Sequence, residues 1–466
     1  MKKARIISLV LALVLCVMSL AACGGTATDK DEQGRTVISV GGWPTKEGAE
    51  LDSAVARKDA FEKDNTDVAI EPDPWKFDLK TFYAKAAGKQ LPDYFSVHAT
   101  EVSQIIDSEY SSDVTEALEK YGYLENMNPD LLDLVSKDGK VYAIPTYAYI
   151  LGLAYNTEMM EAAGLMESDG TPKQPKDWYE LAEFAVKIKE ATGKPGMVFP
   201  TASNNGGWIF TPVAWSFGVD FMDQDKDGKW KATFNTPEAV EALQYIKDLK
   251  WKYDVLPANT LIDGTEYNKT FATGNAGIMI TAGDLPWKII QYGMVPDQLG
   301  MMAMPAGPKR HVTLMGGTMY VVSADATEDQ IDAAIRYHGT AFHYSLSDAV
   351  KDSKNRDIQK KLNQGQLVGI KSMSVWNSNA ESLAYEHKLI DENANSNPNH
   401  VKLYNEFVAN CPAEIQPEEP VCAQELYGIL DNCIQEVLTN KDADCAALIE
   451  SAVADFQANY LDNLTY

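Results

Sequence analysis

The stretch Gly283-Asp284-Leu285-Pro286-Trp287 ends an apolar, strand-like run, 276–282. A turn at that place requires only the glycine and the proline. The carboxylate and the indole exceed what a turn needs. Both suit a cleft in which an apolar face is stacked and a polar rim is hydrogen-bonded. The same residue types recur at other strand ends. Trp43 follows the strand-like 37–40, and His98 closes 94–97 with Glu101 just beyond. Tyr147 and Tyr149 follow a proline-centred extended segment, and Trp208 follows Asn204-Asn205-Gly206-Gly207, which reads as a loop. In open α/β sheets, ligands sit beyond the carboxyl ends of strands. Trp43, Tyr147, Tyr149, Trp208 and Trp287, with Asp284 and Glu101 nearby, would suit a ligand with apolar C–H faces and a hydroxyl edge, as a sugar has. On this reading Gly283 lets the backbone approach the ligand, Asp284 accepts hydroxyl hydrogen bonds, and Trp287 stacks. Trp178 lies on a helical stripe with Leu181, Phe184 and Ile188 and reads as core. Trp75, Trp230 and Trp251 read as structural residues.

Other chemistries find little support. Asp223-Gln224-Asp225-Lys226-Asp227-Gly228 looks like a calcium loop, but the twelfth position, where a bidentate glutamate belongs, is Phe234. An Asp-Gly hairpin turn explains the segment. The histidines His98, His311, His338, His343, His387 and His400 form no HExxH and no i,i+4 pair. Nucleophile-elbow, phosphate-loop and dinucleotide motifs are missing. No catalytic residue, metal site or cofactor is expected. The formal charge of −26, with no basic run after the first residues, argues against nucleic acid and polyanions as partners. Cys411, Cys422, Cys433 and Cys445 crowd the C-terminal region without zinc-like spacing. A Cys411–Cys422 bridge around a proline-rich loop, a Cys433–Cys445 bridge between two predicted helices, and four buried thiols are all open.

Strand and helix patterns alternate in the first hundred residues. Strands at 37–40, 68–70 and 94–97 enclose helical patterns at 51–63 and around Leu79, Phe82 and Ala86. Such alternation predicts a parallel sheet covered by helices. Longer helices are predicted over 177–191, over 237–252 with Thr236 as cap, and over 327–346, 423–438 and 445–460. Strands are predicted at 276–282 and 318–323.

The chain opens Met1-Lys2-Lys3-Ala4-Arg5, runs apolar from Ile6 to Leu20, and continues Ala21-Ala22-Cys23. That order of basic, apolar and small residues before a cysteine resembles a bacterial lipoprotein signal. The apolar run is short of the about 20 residues of a spanning helix. Residues 1–22 are therefore read as a signal peptide. Cys23 is read as the lipidated, palmitate-bearing residue, and 23–35 as the lipidated cysteine and a polar, flexible tether. Extracytoplasmic placement on the cell membrane follows.

The order of these signals, from the lipobox through Leu91-Pro92-Asp93, Tyr142-Ala143-Ile144-Pro145 before Tyr155-Asn156, Phe271-x-x-Gly274-Asn275-Ala276-Gly277, and Gly316-Gly317 before a strand, resembles the extracellular solute-binding lipoproteins of ABC transporters, in the carbohydrate-binding family typified by maltose-binding protein. The likeness covers essentially the whole chain after the signal. It implies an α/β, two-lobed periplasmic-binding-protein-like fold, each lobe a mainly parallel sheet flanked by helices, with a cleft between the lobes. One lobe would be 36–147 with 314–371 and the other 148–313 with 372–466. The resemblance further implies a carbohydrate ligand, ABC permease transmembrane subunits as partners, and no enzyme activity. It adds Trp376, just after the third crossing, and Tyr427, where the family often places a cleft aromatic. The family's aromatic normally comes one or two residues after the glycine of the 283–287 region; here it comes later. Two alternatives stand beside this reading. A secreted lipoprotein glycoside hydrolase would need a pair of carboxylates about the bond. A receptor for a peptide or amino acid would need a charged clamp, which the aromatic excess does not favour.

Overall fold

In a computed structural model, residues 29–342, 346–377 and 380–464 are described. Cys23 and the signal segment 1–22 lie outside them, as does His343. Contacts group the chain into two compact units. The first gathers the residues through Ser96 with Glu109–Tyr121 and Val321–Phe342; the second gathers Val97–Ser108, Gly122–Tyr320 and the residues after Phe342.

The first unit is built as its alternating pattern predicts. Strand Thr36–Val40 pairs in parallel with Val68–Pro72 on one side and with Tyr94–His98 on the other. Helices Ala49–Asp64 and Leu79–Ala87 connect them. Helix Glu328–Ala341 starts on a reciprocal cap: the Gln330 backbone N–H reaches the Thr327 hydroxyl at 3.4 Å, and the Thr327 backbone N–H reaches the Gln330 side-chain Oε1 at 3.0 Å. The Gln330 amide also donates to the Val37 carbonyl at 2.9 Å, which fixes the helix to the sheet. Between them lie Phe61, Tyr94 and Tyr337 in edge-to-face contact and fully buried His338, whose Nδ1 bonds the Tyr94 hydroxyl at 2.5 Å. Burial holds that imidazole neutral, with its pKa pushed down to about 3. Within the segment read as a tether, Asp29–Arg35 forms a turn. Lys30 pairs with Asp329 at 2.7 Å, and the Asp31 carboxylate accepts from the Arg35 N–H and guanidinium.

The second unit is organised by one strand of 13 residues, Ile144–Asn156. Its last seven residues are all buried, as expected of a strand covered on both faces. Parallel pairing, expected for both lobes, holds in the first unit. Here the long strand instead pairs antiparallel with Ile278–Ala282, Leu299–Met302 and Val312–Val322. Glu414–Pro417 joins Val312–Val322 in parallel. The difference has a local cause. The βα alternation that predicts parallel pairing is confined to the first hundred residues. Between 156 and 278 the chain is mainly helical, and strand direction is set by where that excursion returns. Helices Trp178–Thr192 and Pro237–Trp251 begin at the capping residues Asp177 and Thr236. Trp178 is core, 1% exposed, with its indole N–H on the Ser216 hydroxyl at 2.6 Å.

Candidate functional site

Tyr147 and Tyr149 are two residues apart on the long strand and so share a face. Their ring centroids lie 5.9 Å apart. Tyr149 stands opposite Gly316 in the antiparallel ladder. A Cβ at 316 would come 2.3 Å from the Tyr149 hydroxyl oxygen, so the missing side chain is what lets this ring lie across the neighbouring strand. Trp208 meets Tyr149 edge-on, with centroids 6.5 Å apart and planes at 74°. Burial drives the Tyr149 phenol pKa up, aided by the Glu418 and Asp284 carboxylates; burial and then Asp284 act in the same direction on Tyr147.

Trp208 is on a helix, Asn205–Phe217, and not in the loop that its sequence suggests. Two glycines obscure the start, because glycine is a poor helix former. Their purpose is contact. A Cβ on Gly207 would lie 2.3 Å from the Tyr427 carbonyl oxygen, so the helix starts against the backbone of helix Ala423–Thr439. That second helix supplies the cap. Buried Asp431 accepts the N–H of Asn204 at 2.7 Å and that of Gly207 at 2.8 Å. A carboxylate at a helix N-terminus satisfies orphan donors and opposes the helix dipole.

The same helix pair brings together the polar half of the site. Glu418 accepts the Trp208 indole N–H on one oxygen at 3.3 Å and the Tyr427 hydroxyl on the other at 2.8 Å. Its pKa is raised by burial, against the pull of these two donors. Sequence reasoning did not single out Glu418. It stands in Pro417-Glu418-Glu419-Pro420, and no period or motif distinguishes it from other acids. Tyr427 is 1% exposed with its hydroxyl on Glu418, so it supports the site from beneath. Glu101 joins the group electrostatically: burial first, then the Glu418 and Glu425 carboxylates, push its pKa up to about 7. Next along the chain, Glu419 accepts the N–H of buried Trp215 at 2.9 Å, and burial pushes it up to about 7 as well.

Past the strand Ile278–Ala282 the chain turns into a short helix, Leu285–Ile289, with Pro286 in its first turn. Asp284 pairs with Lys288 at 2.8 Å. Trp287 is 58% exposed, with the Lys288 ammonium 5.8 Å from its ring centre. Trp287, Asp284 and Tyr147 line one cavity of about 390 Å³. The space at Gly283 serves the fold: a Cβ there would lie 3.0 Å from the Ile370 Cγ2 and 3.3 Å from the Tyr404 ring. Gly283 also lines that cavity, so a side chain here is blocked by Ile370 and Tyr404 while its backbone borders the open space.

Three further candidates have surroundings of their own. Trp43 is nearly buried in the first unit, with its backbone N–H on the Asp73 carbonyl at 2.9 Å. His98 is exposed at its strand end. Trp376 is nearly buried and lines a different cavity, of about 650 Å³, with His387 and Cys411. The calcium-like segment is a hairpin turn between Met222–Gln224 and Trp230–Ala232; the Asp225 carboxylate is engaged by the N–H groups of Asp227 and Lys229. Cys411, Cys422, Cys433 and Cys445 are free thiols. Burial pushes the Cys433 thiol up to about 12, away from the reactive thiolate.

Residues 42–337 match the bacterial extracellular solute-binding protein family. The chain belongs to that family.

Several solute-binding proteins are similar to this member. An uncharacterized ABC transporter extracellular-binding protein of Pyrococcus horikoshii, PH1039, is 29% identical over 244 residues, 48% of this chain and 53% of that one. The putative ABC transporter periplasmic-binding protein YcjN of Escherichia coli is 24% identical over 326 residues, 68% of this chain and 71% of its own. The arabinooligosaccharide-binding protein of Bacillus subtilis is 27% identical over 245 residues, 51% of this chain and 53% of that protein. The chain thus spans about half the length of the Pyrococcus and Bacillus relatives. Among solved structures, the cyclic alpha-maltosyl-1,6-maltose binding protein of Arthrobacter globiformis superposes with a TM-score of 0.63 at 23% identity, covering 91% of this chain and 100% of that one. Maltose-bound T. maritima MalE3 gives 0.61 at 21% identity, covering 90% and 99%. These likenesses show the fold: mixed α/β, with sheets flanked by helices, as in the two-lobed maltose-binding-protein-like structures. Among the described residues, no helix is long and apolar enough to cross a membrane. Tyr147, Tyr149, Trp208 and Trp287 fall inside the family match; Glu418, Tyr427 and Trp376 lie beyond its end.

Proposed function

We propose that this solute-binding protein captures a sugar or oligosaccharide on the strip Trp208–Tyr149–Tyr147 and delivers it to the transmembrane subunits of an ABC permease. The observation that carries the reading is the pairing of that strip with Glu418. Three rings offer apolar faces in sequence, and a partly buried carboxylate, tied to an indole and a phenol, stands beside them with lone pairs to accept hydroxyls. Asp284 and Glu101 extend the polar side. The oligosaccharide-binding names of several relatives point the same way. On this reading the protein holds its ligand without reacting with it, and it sits outside the cytoplasm, tethered by a lipid on Cys23. Calorimetry of the purified protein against a panel of neutral saccharides tests the proposal. Binding without turnover, weakened at least tenfold by Tyr149→Ala, is expected from the loss of a central aromatic contact, worth about 2 kcal/mol or more. Release of shortened products, or saccharide binding indifferent to Tyr149, would overturn it.

A further inference from the structure

At its Trp208 end the aromatic strip meets carboxylates that no cation neutralises. Glu418 is half-buried and spends one oxygen on the Trp208 indole and the other on the Tyr427 hydroxyl, both neutral partners. Glu101 closes the turn Ala99–Glu101, and Glu425 lies in the first turn of helix Ala423–Thr439. Among the described residues, no hydrogen bond or ion pair engages the side chain of Glu101 or Glu425. Burial raises the Glu101 pKa, and the charges that add to it are those of Glu418 and Glu425. Burial, then Glu425 and Glu101, act in the same direction on the Cys422 thiol beside them. Other acids of this protein have counter-charges. Asp67 pairs with Arg336 at 2.8 Å and Asp391 with Lys371 at 2.9 Å. Asp284, which serves the Tyr147 end of the strip, pairs with Lys288.

Carboxylates gathered partly out of water repel one another, and the repulsion persists until a counter-charge arrives. A hydroxyl-only ligand leaves it in place. A ligand ammonium removes it. The rings favour the same charge: the Trp208 and Tyr149 planes meet at 74° with centroids 6.5 Å apart, two sides of a corner in which a cation meets π density. An anionic ligand would add to the repulsion. A metal ion fits poorly, because among the described residues no group of three or more His, Cys, Asp or Glu side chains is placed to hold one. We propose that the ligand carries a protonated amino group that lies against Trp208 and Tyr149 and pairs with Glu418 and Glu101, so that the protein prefers an amino sugar with a free amine to the neutral sugar of the same shape. The inference rests on the sugar reading of the strip and narrows it to a cationic class.

The test is calorimetry on the intact protein with matched sugars that differ in one substituent. The sets are glucose, glucosamine and N-acetylglucosamine, the same three forms of galactose, and the β-1,4-linked dimers to tetramers of the gluco set. Spermidine serves as a cation without a sugar ring. In the preferred set the free amine should bind at least about tenfold tighter than the hydroxyl or acetamide form, as expected of a charge-assisted hydrogen bond. Raising sodium chloride from about 0.05 to about 0.5 M should weaken the amine and leave the hydroxyl form nearly unchanged, because salt screens charge. Glu101→Gln and Glu418→Gln keep the side-chain shape, and each should cut the amine-to-hydroxyl affinity ratio at least about fivefold. Equal affinity for amine and hydroxyl forms, or a preference that survives both variants, would overturn the amine site and leave the sugar reading intact. Spermidine binding that depends on Glu101 and Glu418, with no saccharide bound, would uphold the cation site and remove the sugar reading. No binding by any of these probes would remove both.

Discussion

Glu101→Gln should make the protein more stable at pH 8 than the parent while leaving it nearly unchanged at pH 4.5. Burial, followed by the Glu418 and Glu425 carboxylates, raises the Glu101 pKa from 4.5 to about 7. The folded protein therefore keeps a proton that the unfolded chain gives up. The stabilisation from that proton is complete below pH 4.5 and is lost as the pH rises through 7. Each pKa unit corresponds to about 1.4 kcal/mol, so the full swing is about 3 kcal/mol, or about 2 kcal/mol once residual solvent contact is allowed for. Glutamine keeps the shape and a carbonyl acceptor but has no charge to desolvate, so the swing should vanish. The assay is the urea midpoint of both proteins at half-unit intervals from pH 4.5 to 8. Glu419, also pushed up to about 7, titrates in both proteins and cancels in the difference. A difference between parent and variant that is the same at pH 5 and pH 8 would refute the placement of Glu101 among partly buried carboxylates.

Three further outcomes follow from the geometry. Asp431→Ala strips the shared cap from helix Asn205–Phe217 and leaves the buried N–H of Gly207 without its acceptor; a loss of about 2–4 kcal/mol is expected in urea unfolding, with weaker saccharide binding in calorimetry because Trp208 rides on that helix. Gly316→Ala puts a methyl group where the Tyr149 ring lies; it should cost about 1–3 kcal/mol and displace Tyr149, seen as an altered near-ultraviolet tyrosine signal and reduced affinity. Cys23→Ala should shift the protein from the membrane fraction to the medium, with loss of acyl mass from the N-terminal peptide; unchanged membrane retention would dismiss the lipid anchor.

Local signals in the sequence determined much of this molecule. The βα alternation over 36–98, the cap at Thr236, the helix starts at 177 and 327, the Asp-Gly hairpin at 227–228 and the burial of Trp178 all rest on neighbours within a few turns of chain, where spacing and side-chain chemistry suffice. The neighbourhood of Tyr147 and Tyr149 was legible for a related reason: two residues at alternate positions of one strand must share a face.

Tertiary structure decided the rest. Trp208 reads as a loop residue because Gly206 and Gly207 lack helix propensity, yet a carboxylate more than two hundred residues later caps the helix and needs those glycines to come near. Glu418 is one acid among 67 in the sequence; only the convergence of an indole, a phenol and a second carboxylate on it gives it a role. The absence of a side chain at Gly283 is required by Ile370 and Tyr404, which arrive from distant segments. The antiparallel neighbours of Ile144–Asn156 are likewise set by where a long helical excursion returns. The deciding interactions are the hydrogen bonding of buried polar groups and the close packing of segments that meet only in the fold. Both depend on atoms far apart in the chain, and no local pattern encodes them.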